Sequence, residues 1–167
     1  MSDVTAWIEA GQPADAAGFH TATLDGVGTD LGKDIAFTSP SEDAKCMTNK
    51  YNNEALVCIV KLTNPPPRPA DPPSNWVSGW LDFDGQSLSV GSLHGDPGPF
   101  IPGTGPALTE GQTLKFGDFQ CRSDKAGVYC ANYAHQSAAR IGAAGIETFG
   151  CLKKTTPPEF VGLQFDC

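Results

Sequence analysis

No stretch of this sequence is apolar over the roughly 20 residues that a membrane-crossing helix needs, so no such span is expected. A basic segment leading into an apolar one is also missing at the N-terminus, where Met1-Ser2-Asp3-Val4 runs into acidic and small residues. There is no Asn-x-Ser/Thr acceptor for N-glycosylation. Basic residues are scarce, 11 Lys and Arg against 19 Asp and Glu, and the net charge is −8. A surface of that sign repels phosphate backbones and anionic lipid, which argues against nucleic-acid and membrane-surface partners. Gly26-Val27-Gly28 lacks the later glycine and lysine of a phosphate loop, and no Gly-x-Ser-x-Gly elbow occurs.

Turn-forming residues, by contrast, are abundant. In 167 residues there are 19 Gly and 14 Pro, a composition of many turns and short strands in one domain spanning 1–167. The acids are unevenly placed. Residues 1–44 hold Asp3, Glu9, Asp15, Asp25, Asp30, Asp34, Glu42 and Asp43 against Lys33 alone, which puts −7 of the −8 in an N-terminal lead-in with the first strands. Such a segment serves as a solvated face or attracts a basic partner.

The six cysteines form three sequential pairs. Cys46 and Cys58, Cys121 and Cys130, and Cys151 and Cys167 lie 12, 9 and 16 positions apart. Zinc knuckles place two cysteines about two to four residues apart and none does so here, so disulfides are expected rather than a metal. Pairing neighbours in the chain gives Cys46–Cys58, Cys121–Cys130 and Cys151–Cys167, although sequence leaves the connectivity open. Three disulfides require an oxidising compartment, so the chain is expected to be secreted or to stand on the extracytoplasmic face of a cell envelope. A leader, lipid-anchor signal or membrane helix removed from ahead of Met1 is then implied, and any membrane association runs through that segment.

The fold expected is mainly β, or α+β, with antiparallel hairpins forming a sandwich or barrel-like domain. Ser2 is placed to cap a short helix through Val4, Trp7 and Ile8 that stops at Gly11. Asp25-Gly26 offers a turn after Phe19 to Leu24, and Ile35-Ala36-Phe37 reads as a strand. Lys45 to Thr48 pairs with Ala55 to Leu62, whose run Leu56-Val57-Cys58-Ile59-Val60 suits a central strand covered on both faces. Residues 64–73, rich in proline, form an extended internal connector. Trp76 to Phe83 and Gln86 to Leu93 flank the hairpin turn Asp84-Gly85. Gln112 to Arg122 pairs with Gly127 to Tyr133. One helical turn is expected over 135–142, and Ile146 to Leu152 and Phe160 to Phe165 close the fold.

The motif Leu108-x-x-Gly111-Gln112-x-Leu114-x-x-Gly117-Asp118-Phe119-x-Cys121, followed by Gly127-Val128-x-Cys130-x-Asn132, resembles the C-terminal portion of small exported proteins and lipoproteins of mycobacteria and related actinobacteria. Asp71-Pro72-Pro73-x-x-Trp76 fits the same resemblance, which covers about residues 46–152. It implies an envelope location and a disulfide-bonded β fold, and no particular activity. The chain departs from that group at Ala134 to Ala144, alanine-rich where a glycine-rich, aromatic stretch is common.

No catalytic residue and no cofactor is assigned from the sequence. Ser92 and His94, two apart on a strand, share a face as a nucleophile and base require. Asp82-x-Asp84-Gly85 has part of a calcium loop without its distal ligands, and hairpin chemistry explains it with less. Asp82, Asp84 and Asp96 lie near Trp76, Trp80 and Phe83, where acids beside aromatic rings suit sugar binding or hydrolysis. His20 and His135 are isolated and read as structural. Candidate binding residues are therefore Trp76, Trp80, Asp82, Asp84, His94 and Asp96. The expected role is a non-catalytic binding or structural module for an envelope protein, a wall polymer or a small ligand. The alternatives are a small extracytoplasmic hydrolase and the sensor ectodomain of a membrane receptor.

Overall fold

Alternation of apolar and polar side chains along short strands builds two sheets whose inner faces meet. The computed structural model describes residues 1–167. A helix α1 (Ser2–Glu9) is followed by β1 (Gln12–Pro13), β2 (Thr21–Leu24), β3 (Val27–Asp30), β4 (Ala36–Thr38), β5 (Ala44–Asn49), β6 (Ala55–Val60), β7 (Trp76–Phe83) and β8 (Ser87–Leu93). Then come β9 (Gln112–Phe116), β10 (Phe119–Asp124), β11 (Gly127–Asn132), β12 (Ser137–Gly142), β13 (Gly145–Gly150), β14 (Lys153–Thr155) and β15 (Leu163–Asp166). A seven-stranded sheet runs β14-β15-β8-β7-β6-β5-β4 and a six-stranded sheet runs β1-β9-β10-β11-β12-β13, with β2-β3 a separate ribbon. Every pairing is antiparallel except β1 with β9. The fold is mainly β and sandwich-like, without barrel closure.

The main core draws on both sheets. Phe37, Cys46, Leu56, Cys58, Leu81, Phe83, Leu88 and Val90 come from one, and Leu114, Phe119, Cys121, Val128, Cys130, Ala139 and Ile141 from the other. In each sheet a disulfide joins two residues directly opposite in register, Cys46 with Cys58 and Cys121 with Cys130. The third bond, Cys151–Cys167, ties the C-terminus down, and no cysteine is free. All three expected pairs are present. So is the central strand β6, bonded to β5 and β7 and almost wholly buried. The proline segment 64–73 joins β6 to its sheet neighbour β7, and Pro66 is buried over Gly162, where an added Cβ would lie 2.4 Å from its ring.

Three expectations need correcting. Residues 137–142 are strand β12 rather than a helical turn. The alanines there are small so that α1 can lie close: Ile8 packs on Ala131 and Ala138, while Ala139 and Ile141 face the core. Trp7 meets Tyr129 at a tilt of 56° with ring centroids 4.7 Å apart, and the Arg122 guanidinium lies 4.1 Å from the Trp7 ring centroid. Second, Gln112 to Arg122 is two strands, because Gly117 at φ 50° turns the chain and lets β9 fold back on β10. Third, Met1 rather than Ser2 occupies the N-cap position of α1, with no side-chain capping bond, and the Thr5 hydroxyl donates back to the Met1 and Ser2 carbonyls. Strand β14 (Lys153–Thr155), exposed throughout and without apolar alternation, had no signal in the sequence.

Mild reductant applied to the folded protein should open Cys151–Cys167 first, since Cys167 is exposed, and leave the two fully buried bonds intact until unfolding. Alkylation and peptide mass spectrometry read the order. Six free thiols in the untreated protein would contradict the bonding altogether. Ala138→Leu should overpack the contact with α1 and lower stability by about 1–3 kcal/mol in denaturant titration, whereas a helix at 135–142 would tolerate it.

Candidate functional site

The outer face of the seven-stranded sheet is apolar in its middle, and the segment after β8 covers it. Ala36, Met47, Val57, Trp80 and Phe100 form a second buried cluster, with Leu31, Ile59 and Val77 packed against it. The cover lies flat because of glycine: a Cβ on Gly103 would sit 2.0 Å from the Thr23 carbonyl, and one on Gly105 would sit 2.1 Å from the Ala36 backbone. Val77 and Leu81 of β7 flank a bulge opposite Gly91, which re-aims the intervening residues.

At the open end of the β7–β8 hairpin this arrangement gathers several of the candidate residues. The His94 ring stacks on Trp80 with centroids 3.5 Å apart, and Phe100 meets Trp80 edge-on at 5.6 Å. The Trp80 indole N–H donates to Asp82 at 3.1 Å. Ser92 Oγ and His94 Nε2 are 2.8 Å apart, and the His94 amide donates to the Asn75 carbonyl. A cleft of about 290 Å³ beside them is lined by Ile59, Asn75, Trp80, His94, Gly95 and Asp96, among others. Burial pushes the Asp82 carboxyl above its ordinary pKa, against the Trp80 hydrogen bond that lowers it. Burial also holds the His94 imidazole below its ordinary value, and the nearby Asp96 charge opposes the shift.

Neutral His94 with its proton on Nδ1 would accept from the Ser92 hydroxyl, the first element of nucleophile activation. The rest of a triad is not assembled. Asp96 Oδ1 accepts from the Gly98 amide at 2.7 Å, and Asp96 makes no hydrogen bond to His94. Asp82 is held by the indole. Trp80 itself offers no sugar platform, being 2% exposed with one ring face given to His94.

Trp80, His94 and Asp96 thus share one cleft, with Asp82 attached through Trp80. Trp76 lies beside it, its ring against Gly91, where an added Cβ would be 2.8 Å away, and its indole nitrogen is buried without a partner. Asp84 is at the other end of the hairpin. Its Oδ1 accepts from the Gln86 and Ser87 amides at 2.8 and 2.7 Å, closing the turn beside His135. His20 is bonded to the Asp34 carbonyl.

A second cleft had no counterpart among the residues expected from the sequence. A cleft of about 300 Å³ lies between the β2–β3 ribbon, β5 and residues 98–102, lined in part by Asp30, Leu31, Asp34, Met47, Tyr51 and Ile101. The large hydrophobic side chains left exposed are Leu24 (52%), Val27 (67%), Tyr51 (72%) and Ile101 (59%), and all four stand on or beside this cleft or its ribbon. Their sequence signal was weak, because isolated apolar residues in turn-rich segments read as ordinary turn positions.

Compared with protein-family models, with curated proteins and with solved structures, the chain finds no match.

Because His94 is held neutral by burial, the folded protein binds its proton less readily than the unfolded chain. The stabilisation is therefore present above pH 6.5, the ordinary value, and is lost as pH falls through the lower folded-state pKa. His94→Gln should flatten that part of the stability profile, measured by denaturant unfolding at a series of pH values. An unchanged profile would place the histidine in solvent.

Proposed function

We propose that this chain is an exported protein of the cell envelope that acts as a non-catalytic binding module, taking its partner on the ribbon end of the sandwich. The observation that carries the reading is that Tyr51 and Ile101 stand exposed on one cleft while Leu24 and Val27 stand exposed on the ribbon that forms one of its walls. Contiguous exposed apolar surface on a folded protein is commonly an interaction site, whereas singly scattered residues need no explanation. The three disulfides support an oxidising location, as does the resemblance of 46–152 to small exported proteins and lipoproteins of mycobacteria and related actinobacteria. No helix is long and apolar enough to cross a membrane.

A second reading, a small extracytoplasmic hydrolase, is favoured by one observation, the 2.8 Å Ser92–His94 contact. One set of measurements separates the two. A fluorophosphonate probe and an ester panel are expected to give no Ser92 labelling and no turnover above a Ser92→Ala control. Leu24→Asp with Ile101→Asp is expected to weaken capture of envelope components at least tenfold, with the thermal midpoint little changed because both side chains are exposed. Stoichiometric labelling of Ser92 would replace the binding module with the hydrolase.

A further inference from the structure

The β2–β3 ribbon carries an unpaired edge whose orientation follows from its hydrogen bonds. Leu31 N–H donates to His20 across the ribbon at 2.8 Å, and pairs alternate from there, so Ala22↔Thr29 and Leu24↔Val27 exchange bonds while Thr23↔Gly28 and Thr21↔Asp30 do not. The other side of β2 obeys the same alternation. Thr23 donates to Thr104 at 2.8 Å and accepts from it at 3.1 Å, which occupies that edge. The backbone groups of Gly28 and Asp30 therefore point away from β2, and no backbone bond within the protein takes them up. All four residues of β3 are exposed. Proline and lysine, the usual guards of an open edge, are absent from it.

The two faces of the ribbon differ. Ala22, Leu24, Val27, Thr29 and Leu31 share one, anchored where Ala22 is buried and Leu31 packs on the second core cluster. Thr21, Thr23, Gly28 and Asp30 share the other. Thr29 and Asp30 also form one wall of the 300 Å³ cleft, whose charged lining is Asp30 and Asp34 against Lys50, with Asp25 at the ribbon's turn. Lys33 is not free to offset them, being paired with Glu54.

We infer that β3 receives an added strand from a partner, an extended segment that alternates apolar and basic residues. Its apolar side chains continue the Leu24–Val27 face toward Ile101 and Tyr51, and its basic ones answer Asp30 on the opposite face. Backbone hydrogen bonds to Gly28 and Asp30 fix the register. A second copy of this chain fits poorly, since each would bring the same acidic N-terminal segment to the contact. The inference rests on the binding-module reading and names the partner's chemistry.

The test uses the intact oxidised protein and a synthetic peptide of alternating lysine and valine, followed by amide hydrogen exchange in NMR. The expected result is at least tenfold slowing of exchange at the Gly28 and Asp30 amides. A peptide N-methylated at alternate residues along its bonding edge should fail to slow it, a glutamate–valine peptide should not bind, and Val27→Lys should weaken binding by at least tenfold. Equal binding of the N-methylated peptide, or protection confined to other strands, overturns strand addition while leaving the apolar face as a binding surface. No binding of the lysine–valine peptide up to millimolar concentration also overturns it. Protection of Gly28 and Asp30 that rises with protein concentration in the absence of peptide would assign the edge to a second copy instead. Failure of the binding-module reading itself is read separately, from Ser92 labelling and from envelope capture unaffected by Leu24→Asp with Ile101→Asp.

Discussion

The contact between the inner faces of two sheets, each pinned by a disulfide between directly opposed strands, is the constraint from which the rest of the molecule follows. Cys46–Cys58 and Cys121–Cys130 are both buried, and the side chains alternating with them point outward. A slip of one residue in either hairpin would turn Leu56 and Val60, or Val128, to the wrong side, so the covalent bond and the apolar pattern specify the same register. Closing loops of this length removes about 2–4 kcal/mol of unfolded-state freedom per bond.

With the inner faces committed to each other, the two outer faces needed separate covers, and they received different ones. On the six-stranded sheet, α1 lies over the small residues Ala131 and Ala138, with Trp7 and Arg122 sealing the margin. On the seven-stranded sheet the cover is a loop, residues 94–106, laid over Trp80, Met47 and Val57. A loop cannot seal an apolar sheet as a helix does, because its backbone polar groups must be satisfied along the way. Its margins are therefore where clefts remain. One lies at His94 and the other under the β2–β3 ribbon, where the exposed apolar side chains stand.

Much of the scaffold was legible because its signals are local. Asp84-Gly85 between two alternating runs announces a hairpin, and Leu56 to Val60 announces a strand buried on both faces. The paired cysteines gave the disulfides. The misreadings came from segments where local preference and tertiary context diverge. Alanines at 138 and 139 favour helix in isolation, and they form a strand here because a helix packs against one side and the core against the other. The candidate site was legible in part. Ser92, on β8, and His94, one residue past its end, meet as their two-residue spacing implies, and Asp96 joins His94 in the same cleft. Asp84, two residues from Asp82, is instead consumed by the turn it makes.

The sequence by itself determined the β class, the order of hairpins, the central strand and the segregation of acid into the first 44 residues, since each depends on neighbours within a few positions or on composition alone. Only the tertiary structure decided which aromatic rings remain available and which apolar side chains stand in solvent. Trp80, promising in sequence, is enclosed by His94 and Phe100, from 14 to 20 residues further on. Leu24 and Val27, inconspicuous in sequence, stand exposed on a ribbon that the bonds between Thr23 and Thr104 tie to the segment after Ile101. Burial and exposure are properties of what lies across the fold, and no window along the chain contains that information.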